Sequence, residues 1–504
     1  MDKTDFIDYI NSTIETSTKL TCFSRPRRFG KSFTAKMLCA YYDKSCDSRK
    51  LFLDLKIAGM PSFEEHLNRY NVIYLDITWF ISTTVCIKNV VSDLQRNVIQ
   101  ELKSAFPRAA DSEECSLPRM MAEVAHTTKQ KFILIIDEWD ALFREAKEDD
   151  ALQKEYVQLL RGLFKGGTAT DETIAAAYMT GILPIKKYGT ESALTDFQEF
   201  TMTSPAKLAK YVGFTEEEVK NLCQQYHMDF DSMQTWYDGY SFSKIQHVYS
   251  PNSVMLAIRN EEFQNYWTAS ETYQSLKKYI EMDFDGLKGA IVRMLGGEAV
   301  RVKISTFQND LTSFKNKDDV LTLLIHLGYL AYDSRTQKAI IPNLEVAGAF
   351  GDAVGETGWE YVAAAIKDSD DLLEATVQGN CEKVAFALER AHESVASVLE
   401  YNNEASLSAA IMLAYYTARR QYEIIRELPA GKGFADLAFL PRRNTDYPAL
   451  IIELKYDKDA DSAMRQIKEQ RYDGQMKQYF GKMLMAGINY DKGTKKHTCV
   501  IEPA

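Results

Sequence analysis

Apolar and polar positions along the first two hundred residues alternate between two periods. "KLTCFSRP" is a short β-prone run ended by Pro26, and "KSFTAKMLCAYYD" follows with Phe33, Met37, Leu38 and Tyr41 at helical spacing. "NVIYLDITWF", Asn71 to Phe80, is another strand-like run. "KQKFILIIDEWDALF" holds an unbroken apolar strand from Phe132 to Ile136, and "IAAAYMTGILP" adds one more. Strands separated by helical stretches predict a parallel α/β sheet, because parallel neighbours need long crossovers and bury both faces.

From about 200 to 370 the pattern becomes helical. "KLAKYVGFTEEEVKNLC" predicts a helix starting at Thr215, where the three following acids suit the positive helix end. "DDVLTLLIHLGYLAYDSRTQKAIIPNLEV" predicts a helix, a stop at Gly328 and a two-strand hairpin. That is compatible with a winged-helix unit or with a packing or regulatory lid, and the acidic stretches "EMDFD" and "NKDD" favour the lid. Further on, "YNNEASLSAAIMLAYYTARRQYEII" reads as one amphipathic helix with Glu404 in its first turn. "FADLAFL" and "ALIIELKYD" read as strands, "SAMRQIKEQRYDGQMKQYF" as a helix, and "KGTKKHTCVIE" as a basic turn and a last strand. The expected domains are 1–205, 206–370 and 371–504.

Composition narrows this picture. A chain of 504 residues exceeds one ordinary core, and 45% hydrophobic with 26% charged residues is ordinary for globular protein. No apolar run reaches membrane-spanning length, and the acidic start "MDKTDFIDYI" is unlike a signal peptide. Eight cysteines without C-x-x-C pairs predict reduced thiols in a cytoplasm, and seven histidines without an H-x-x-x-H cluster argue against a histidine metal site. A net charge of −11 argues against a basic nucleic-acid coat but leaves room for a local basic groove.

Two stretches carry chemistry. "FSRPRRFGKSF" ends in Gly30-Lys31-Ser32, the close of a phosphate-binding loop, with Arg25 in place of the usual first glycine. Backbone N–H groups at the helix start would hold phosphate oxygens, Lys31 would reach the terminal phosphates, and Ser32 would bind Mg²⁺. Taken alone, Gly30 could be only a turn. The apolar strand ending in Asp137-Glu138 decides between these, since an acid at a strand's C-terminal end is placed to hold the Mg²⁺ shell. Glu138 could then polarise the attacking water, and Asp140 could orient its neighbours or cap the next helix. Thr180, at the end of the next strand, is either a sensor of the terminal phosphate or a plain strand-end residue.

In the second stretch Glu453 and Lys455 are two apart on a strand and so share a face, and a hairpin can bring Asp436 beside Glu453. Clustered carboxylates hold one or two Mg²⁺ ions, which neutralise a scissile phosphate and lower the pKa of a water, while a lysine positions that water or stabilises developing charge. The order Glu404, Asp436, Glu453-x-Lys455 resembles the PD-(D/E)XK phosphodiesterase superfamily, with Gln466 and Tyr472 similar to its "Q-I-x-x-x-x-Y". The resemblance implies metal ligation by Glu404, Asp436 and Glu453, catalysis with Lys455, and a bracing or phosphate-contacting role for Gln466. Lys492, Lys495 and Lys496 could meet nucleic-acid backbone or simply keep a turn soluble.

"RPRRFGKS", "LIIDEWDALF", "TGILPI", "WYDGYSF" and "VYSPNSV" together resemble bacterial AAA-ATPase-like proteins with a C-terminal restriction-type nuclease domain. In that family an arginine-rich loop stands in for the glycine-rich one. The resemblance implies ATP and Mg²⁺ as cofactors, bound by Arg27, Arg28, Phe29, Gly30, Lys31, Ser32, Asp137 and Thr180, with Arg27 and Arg28 adding positive charge. Members carry a further segment before a "Y-V-D-K-T" stretch, where this chain begins at "MDKT", and their usual "D-E-Y-D" is "DEWD" here. The expected fold class is α/β: an N-terminal P-loop NTPase parallel sheet, a helical, winged-helix-compatible middle region, and a C-terminal restriction-endonuclease-like α/β domain. The expected function is an ATP-binding switch coupled to a Mg²⁺-dependent nuclease acting on DNA or RNA. The alternative is a regulatory ATPase whose nuclease-like domain only binds. A homo-oligomer or protein partner is compatible with both, since no arginine finger can be assigned and hydrolysis could need one from a partner subunit.

Overall fold

The structure, a computed structural model, describes residues 1–504 apart from 109–115, 186, 189–190, 193, 243, 268–271, 283, 310, 357–358, 397–403, 431–432, 444, 470–475 and 480. The chain forms two compact units, one of 1–263 with 301–339 and the other of 264–300 with 340–504. No described helix is long and apolar enough to cross a membrane.

The first unit is built on five parallel strands, β1 (Leu20–Ser24), β2 (Asn71–Asp76), β3 (Phe132–Asp137), β4 (Ile174–Gly181) and β5 (Gln198–Phe200), in the order β2-β3-β4-β1-β5. β1, β3 and β4 are buried along their whole length, as unbroken apolar runs in a parallel sheet should be. The 71–80 run is shorter than its pattern suggests. It stops at Asp76, whose carboxylate accepts from the Trp79 N–H and caps a helix over Ile77–Thr83. Helix α1 (Lys31–Tyr42) opens directly from the loop after β1, and the short helix α2 (Ala141–Glu145) opens just beyond β3. Phe33, which fits α1's apolar stripe by spacing, is 77% exposed; Ala35, Leu38, Tyr41 and Tyr42 form the buried face instead.

Beyond the sheet, Thr215 caps helix α3 (Glu216–Tyr226) in a reciprocal capping box with Glu218. Strands β6 (Tyr240–Phe242) and β7 (Ile245–Tyr249) pair antiparallel. Helix α5 (Lys317–Leu327) ends on Gly328 at φ 86°, and two short neighbouring strands, β8 (Ala331–Asp333) and β9 (Lys338–Ile340), follow it as the spacing predicts.

The second unit contains helices α4 (Leu287–Leu295), α6 (Cys381–Ala396), α7 (Glu404–Ala414) and α8 (Ala460–Glu469). Its sheet runs in sequence order: β10 (Tyr422–Ala430), β11 (Gly433–Pro441), β12 (Ala449–Tyr456), β13 (Met483–Asp491) and β14 (Lys496–Pro503). Only β12 and β13 are parallel, with α8 as their crossover. The helix expected over 401–425 is corrected here. α7 ends at Ala414, and Tyr422, Ile424 and Ile425 already lie in β10, paired to Pro441, Phe439 and Ala438. Aromatic and β-branched side chains favour that pleated pairing over a further helical turn.

Candidate functional site

At the C-terminal ends of β3, β4 and β1, register places Asp137 beside Thr180 and Thr180 beside Phe23. The loops leaving these strands therefore converge, as at the ligand-binding end of an open parallel sheet. Arg25 fills the first glycine's place and is buried. Its guanidinium donates to the Tyr211 carbonyl (2.7 Å), Thr34 Oγ1 (3.2 Å) and Tyr178 Oη (3.3 Å), and lies 4.5 Å from the Phe23 ring centre. It braces the loop against α1 and the sheet from beneath. Phe29, also buried, packs edge-on against Tyr240 at 5.5 Å, and Tyr240 Oη donates to the Gly328 carbonyl. The turn itself needs two left-handed residues, Arg28 at φ 69° and Gly30 at φ 76°.

Lys31 and Ser32 begin α1. Lys31 Nζ is buried, 3.1 Å from the Pro26 carbonyl and 3.2 Å from Glu138 Oε1. Burial pulls its ammonium below the ordinary lysine value, and the charges of Glu138 and Asp140 restore only part of that. Asp137 is pushed up by burial against the opposing pull of the neighbouring Ser32 hydroxyl, and Tyr74 Oη donates to its carboxylate at 3.2 Å. Burial acts the same way on Glu138, but Lys31, Arg144 and Arg27 outweigh it and hold that carboxyl below its ordinary value. Thr180 Oγ1 donates to the Phe23 carbonyl at 2.9 Å. Asp140 is fully buried and accepts from the N–H groups of Ile182 (3.2 Å) and Leu183 (2.9 Å), so it fastens the exit of β4. Arg144 escaped the sequence reading. The Asp140–Arg144 spacing of four was its available signal.

In the second unit, Asp436 lies on β11 and Glu453 and Lys455 on β12, with Leu437 opposite Ile452. The hairpin brings Asp436 to Glu453, and Asp436 Oδ2 accepts the Leu454 N–H at 2.7 Å. Glu453 is 1% exposed. Its Oε1 accepts from Lys455 Nζ at 3.1 Å and from the Gln466 amide on α8. Its Oε2 is buried with no partner among the described residues. Burial, then the charge of Asp436, push the Glu453 carboxyl up to about 7 against the pull of Lys455. A buried, partnerless carboxylate oxygen beside a second carboxylate fits a divalent cation.

Gly487 faces Glu453 across the parallel register, and a Cβ there would stand 2.6 Å from the Ala460 carbonyl of α8. This glycine lets α8 approach closely enough for Gln466 to reach Glu453. Glu404 opens α7, which packs on the opposite face of the sheet, where Ser408 meets Arg426 and Tyr415 meets Phe439. The Glu404 side chain and Tyr472 lie outside the described residues. Among the described residues no three His, Cys, Asp or Glu side chains form a metal cluster. Lys492, Lys495 and Lys496 lie exposed at the turn between β13 and β14.

A parallel α/β ATPase-like domain and a mixed-sheet nuclease-like domain are thus present in one chain. Residues 1–190 match the family described as "Predicted AAA-ATPase", and residues 403–499 match the PD-(D/E)XK nuclease superfamily. No curated protein matches the chain. Similar solved structures include the ORC2 protein of Aeropyrum pernix in ADPNP–ADP complexes, at 9% identity and TM-score 0.31, over 70% of this chain and 91% of that one. Its ADP form stands at 8% identity and TM-score 0.28, over 70% and 92%. Overlap this low carries no argument about function.

Proposed function

We propose that the chain is an ATP-binding and ATP-hydrolysing switch coupled to a Mg²⁺-dependent phosphodiesterase centre for nucleic acid. The observation that most supports it is Glu453, a buried carboxylate with one oxygen braced by Lys455 and Gln466 and the other free of any partner among the described residues. In the nucleotide half, N–H groups of the turn through Arg27, Arg28, Phe29 and Gly30 and the start of α1 would hold phosphate oxygens, and Lys31 would meet the terminal phosphates. Ser32 and Asp137 would hold Mg²⁺, and Glu138 would orient the attacking water. In the nuclease half, Asp436 and Glu453 would hold the cation, with Glu404 as a third ligand, while Lys455 positions a water and Gln466 keeps Glu453 in place. Bound Mg²⁺ supplies charge neutralisation and a more acidic water at either site. The match of residues 403–499 to a nuclease superfamily supports nucleic acid as the substrate class.

The test is a cleavage assay on single- and double-stranded DNA and RNA with Mg²⁺ or Mn²⁺, with and without ATP. Wild type should cut, and Asp436→Ala should lose on the order of a hundredfold or more, as expected when a metal ligand is removed. Glu404→Ala should lose activity too if that residue completes the ligand set. ATP, or Lys31→Ala, should change the cutting rate of an otherwise intact centre. No cleavage of any substrate under these conditions would instead favour a regulatory ATPase with a non-cutting nuclease-like domain.

A further inference from the structure

Glu138 is gripped from two sides. Lys31 Nζ stands 3.2 Å from Oε1, and the Arg144 guanidinium reaches Oε2. The two cations are not equivalent. Lys31 is a single point charge on a flexible stem, otherwise in contact with the Pro26 carbonyl. Arg144 is a planar fork that also bonds Asp140 Oδ2 through Nε at 3.2 Å. Asp140 is in turn fully buried and fixed by the N–H groups of Ile182 and Leu183. The backbone of Glu138 adds to this, since it holds a left-handed φ of 51°, an unfavourable state for a side chain with a Cβ.

We propose that Arg144 is the positioning residue for Glu138 in ATP hydrolysis: anchored on Asp140, it keeps Glu138 in place when a terminal phosphate takes Lys31. This rests on the ATP-hydrolysis reading above. A phosphate oxygen carries the charge that Lys31 otherwise finds on Glu138, so substrate and Glu138 compete for the ammonium. Arg144 takes no part in that exchange, because its second carboxylate is locked into the exit of β4. Released from Lys31, Glu138 would otherwise swing with its own rotamers, and the grip of Arg144 restricts it. Water then attacks the terminal phosphorus and its oxygen forms the new P–O bond. The proton it gives up goes to Glu138. The bond to the bridging oxygen breaks, and its electron pair leaves with ADP.

The experiment measures ATP turnover and ATP binding in the full chain with Mg²⁺ for Arg144→Ala, Arg144→Lys, Glu138→Gln and Glu138→Gln combined with Arg144→Ala. Arg144→Ala should lower kcat by about 10- to 100-fold while KM and the ATP Kd stay within about twofold, the signature of a group acting at the chemical step. Arg144→Lys keeps a charge beside Asp140 and guards against a folding defect. It should also lose kcat, because one ammonium nitrogen cannot stand at both the Nε and Nη2 positions from which Arg144 holds Asp140 and Glu138. In the Glu138→Gln background, Arg144→Ala should cost less than about twofold more, since both substitutions act on one group. An equal loss in both backgrounds, a loss carried by KM, or full turnover in Arg144→Ala would overturn the inference alone. Wild type that binds ATP without hydrolysing it overturns it as well and leaves the nucleotide site standing. Wild type that does not bind ATP overturns the nucleotide-site reading itself.

Discussion

Single residues show what spacing could and could not reveal. The sequence displays Gly30-Lys31-Ser32 and Asp137-Glu138 in the right order, and the fold brings them together at one end of a parallel sheet. Arg25 was visible only as a departure from a glycine pattern. Its three hydrogen bonds run to residues 9, 153 and 186 positions away, and no local pattern encodes such contacts. The Thr180 hydroxyl donates to the Phe23 carbonyl, a contact between neighbouring strand ends. The same scale holds a pH-sensitive pair. Burial holds His392 at about 4 and His497 at about 3, with the Tyr490 ring 4.2 Å and 5.0 Å from them and the charge of His392 adding to the shift at His497. Unfolded, both take up a proton near the usual 6.5. Between those values the unfolded state binds more protons, so stability is full above about 6.5 and declines as pH falls toward 4. Urea melts in the absence of metal should show the pair costing about 4 kcal/mol between pH 7 and 5, about 2 for each histidine, of which the Glu453 carboxyl at about 7 returns about 2. His392→Gln with His497→Gln should remove the cost of the pair and leave the gain from Glu453, so that the slope reverses, and an unchanged slope would locate the titration elsewhere.

At the scale of elements, periodicity located strands and helices well and their ends less well. β3 and β4 were legible because both faces are buried and the apolar run is unbroken. The 71–80 run failed after Asp76, the last strand residue, which also caps the helix that follows, and the 401–425 stretch failed because the break between α7 and β10, at Tyr416–Arg420, carries no glycine or proline to mark it. The approach of α8 to the sheet was not legible at all, since it depends on what Gly487 lacks. That glycine yields a sharp expectation. A methyl group there meets the Ala460 carbonyl at 2.6 Å and Ala463 Cβ at 3.1 Å, so Gly487→Ala must push α8 outward. Overpacking of this kind costs about 1–3 kcal/mol. Because Gln466 rides on the same helix, nucleic-acid cleavage should fall further than the loss of folded protein explains. Denaturant melts and cleavage rates on one preparation would check this, and a variant with normal stability and normal cutting would mean that α8 does not set the Glu453 geometry.

For the whole molecule, the matched segments and the folded units have different edges. The nuclease-superfamily match covers 403–499, whereas the compact unit around it also takes in 264–300 and 340–402. Those extra stretches pack inside that unit. Gly296, just past α4, lies so close to α7 that a Cβ would stand 3.0 Å from the Ala409 carbonyl, and Gly297 abuts the Arg419 guanidinium in the same way at 3.1 Å. Tyr416 Oη donates to the Ala347 carbonyl, and Ser369 Oγ accepts from the Thr417 N–H at 3.0 Å. A fragment of residues 371–504 keeps all five strands of the sheet but exposes the faces that α4 and the 340–370 helices cover. Apolar area returned to water costs about 25 cal/mol per Å², and a unit of ordinary stability has only about 5–15 kcal/mol to lose. Such a fragment should therefore melt without the cooperative transition of the full chain and bind a dye specific for exposed apolar surface, while residues 264–300 joined by a short linker to 340–504, the complete unit without the 301–339 stretch of the other one, should melt cooperatively. Circular dichroism melts of both would decide the matter. A sharp transition for 371–504 would show that the sheet with its flanking helices α6, α7 and α8 is sufficient, and that the additional helices serve something other than the stability of the Asp436–Glu453 centre.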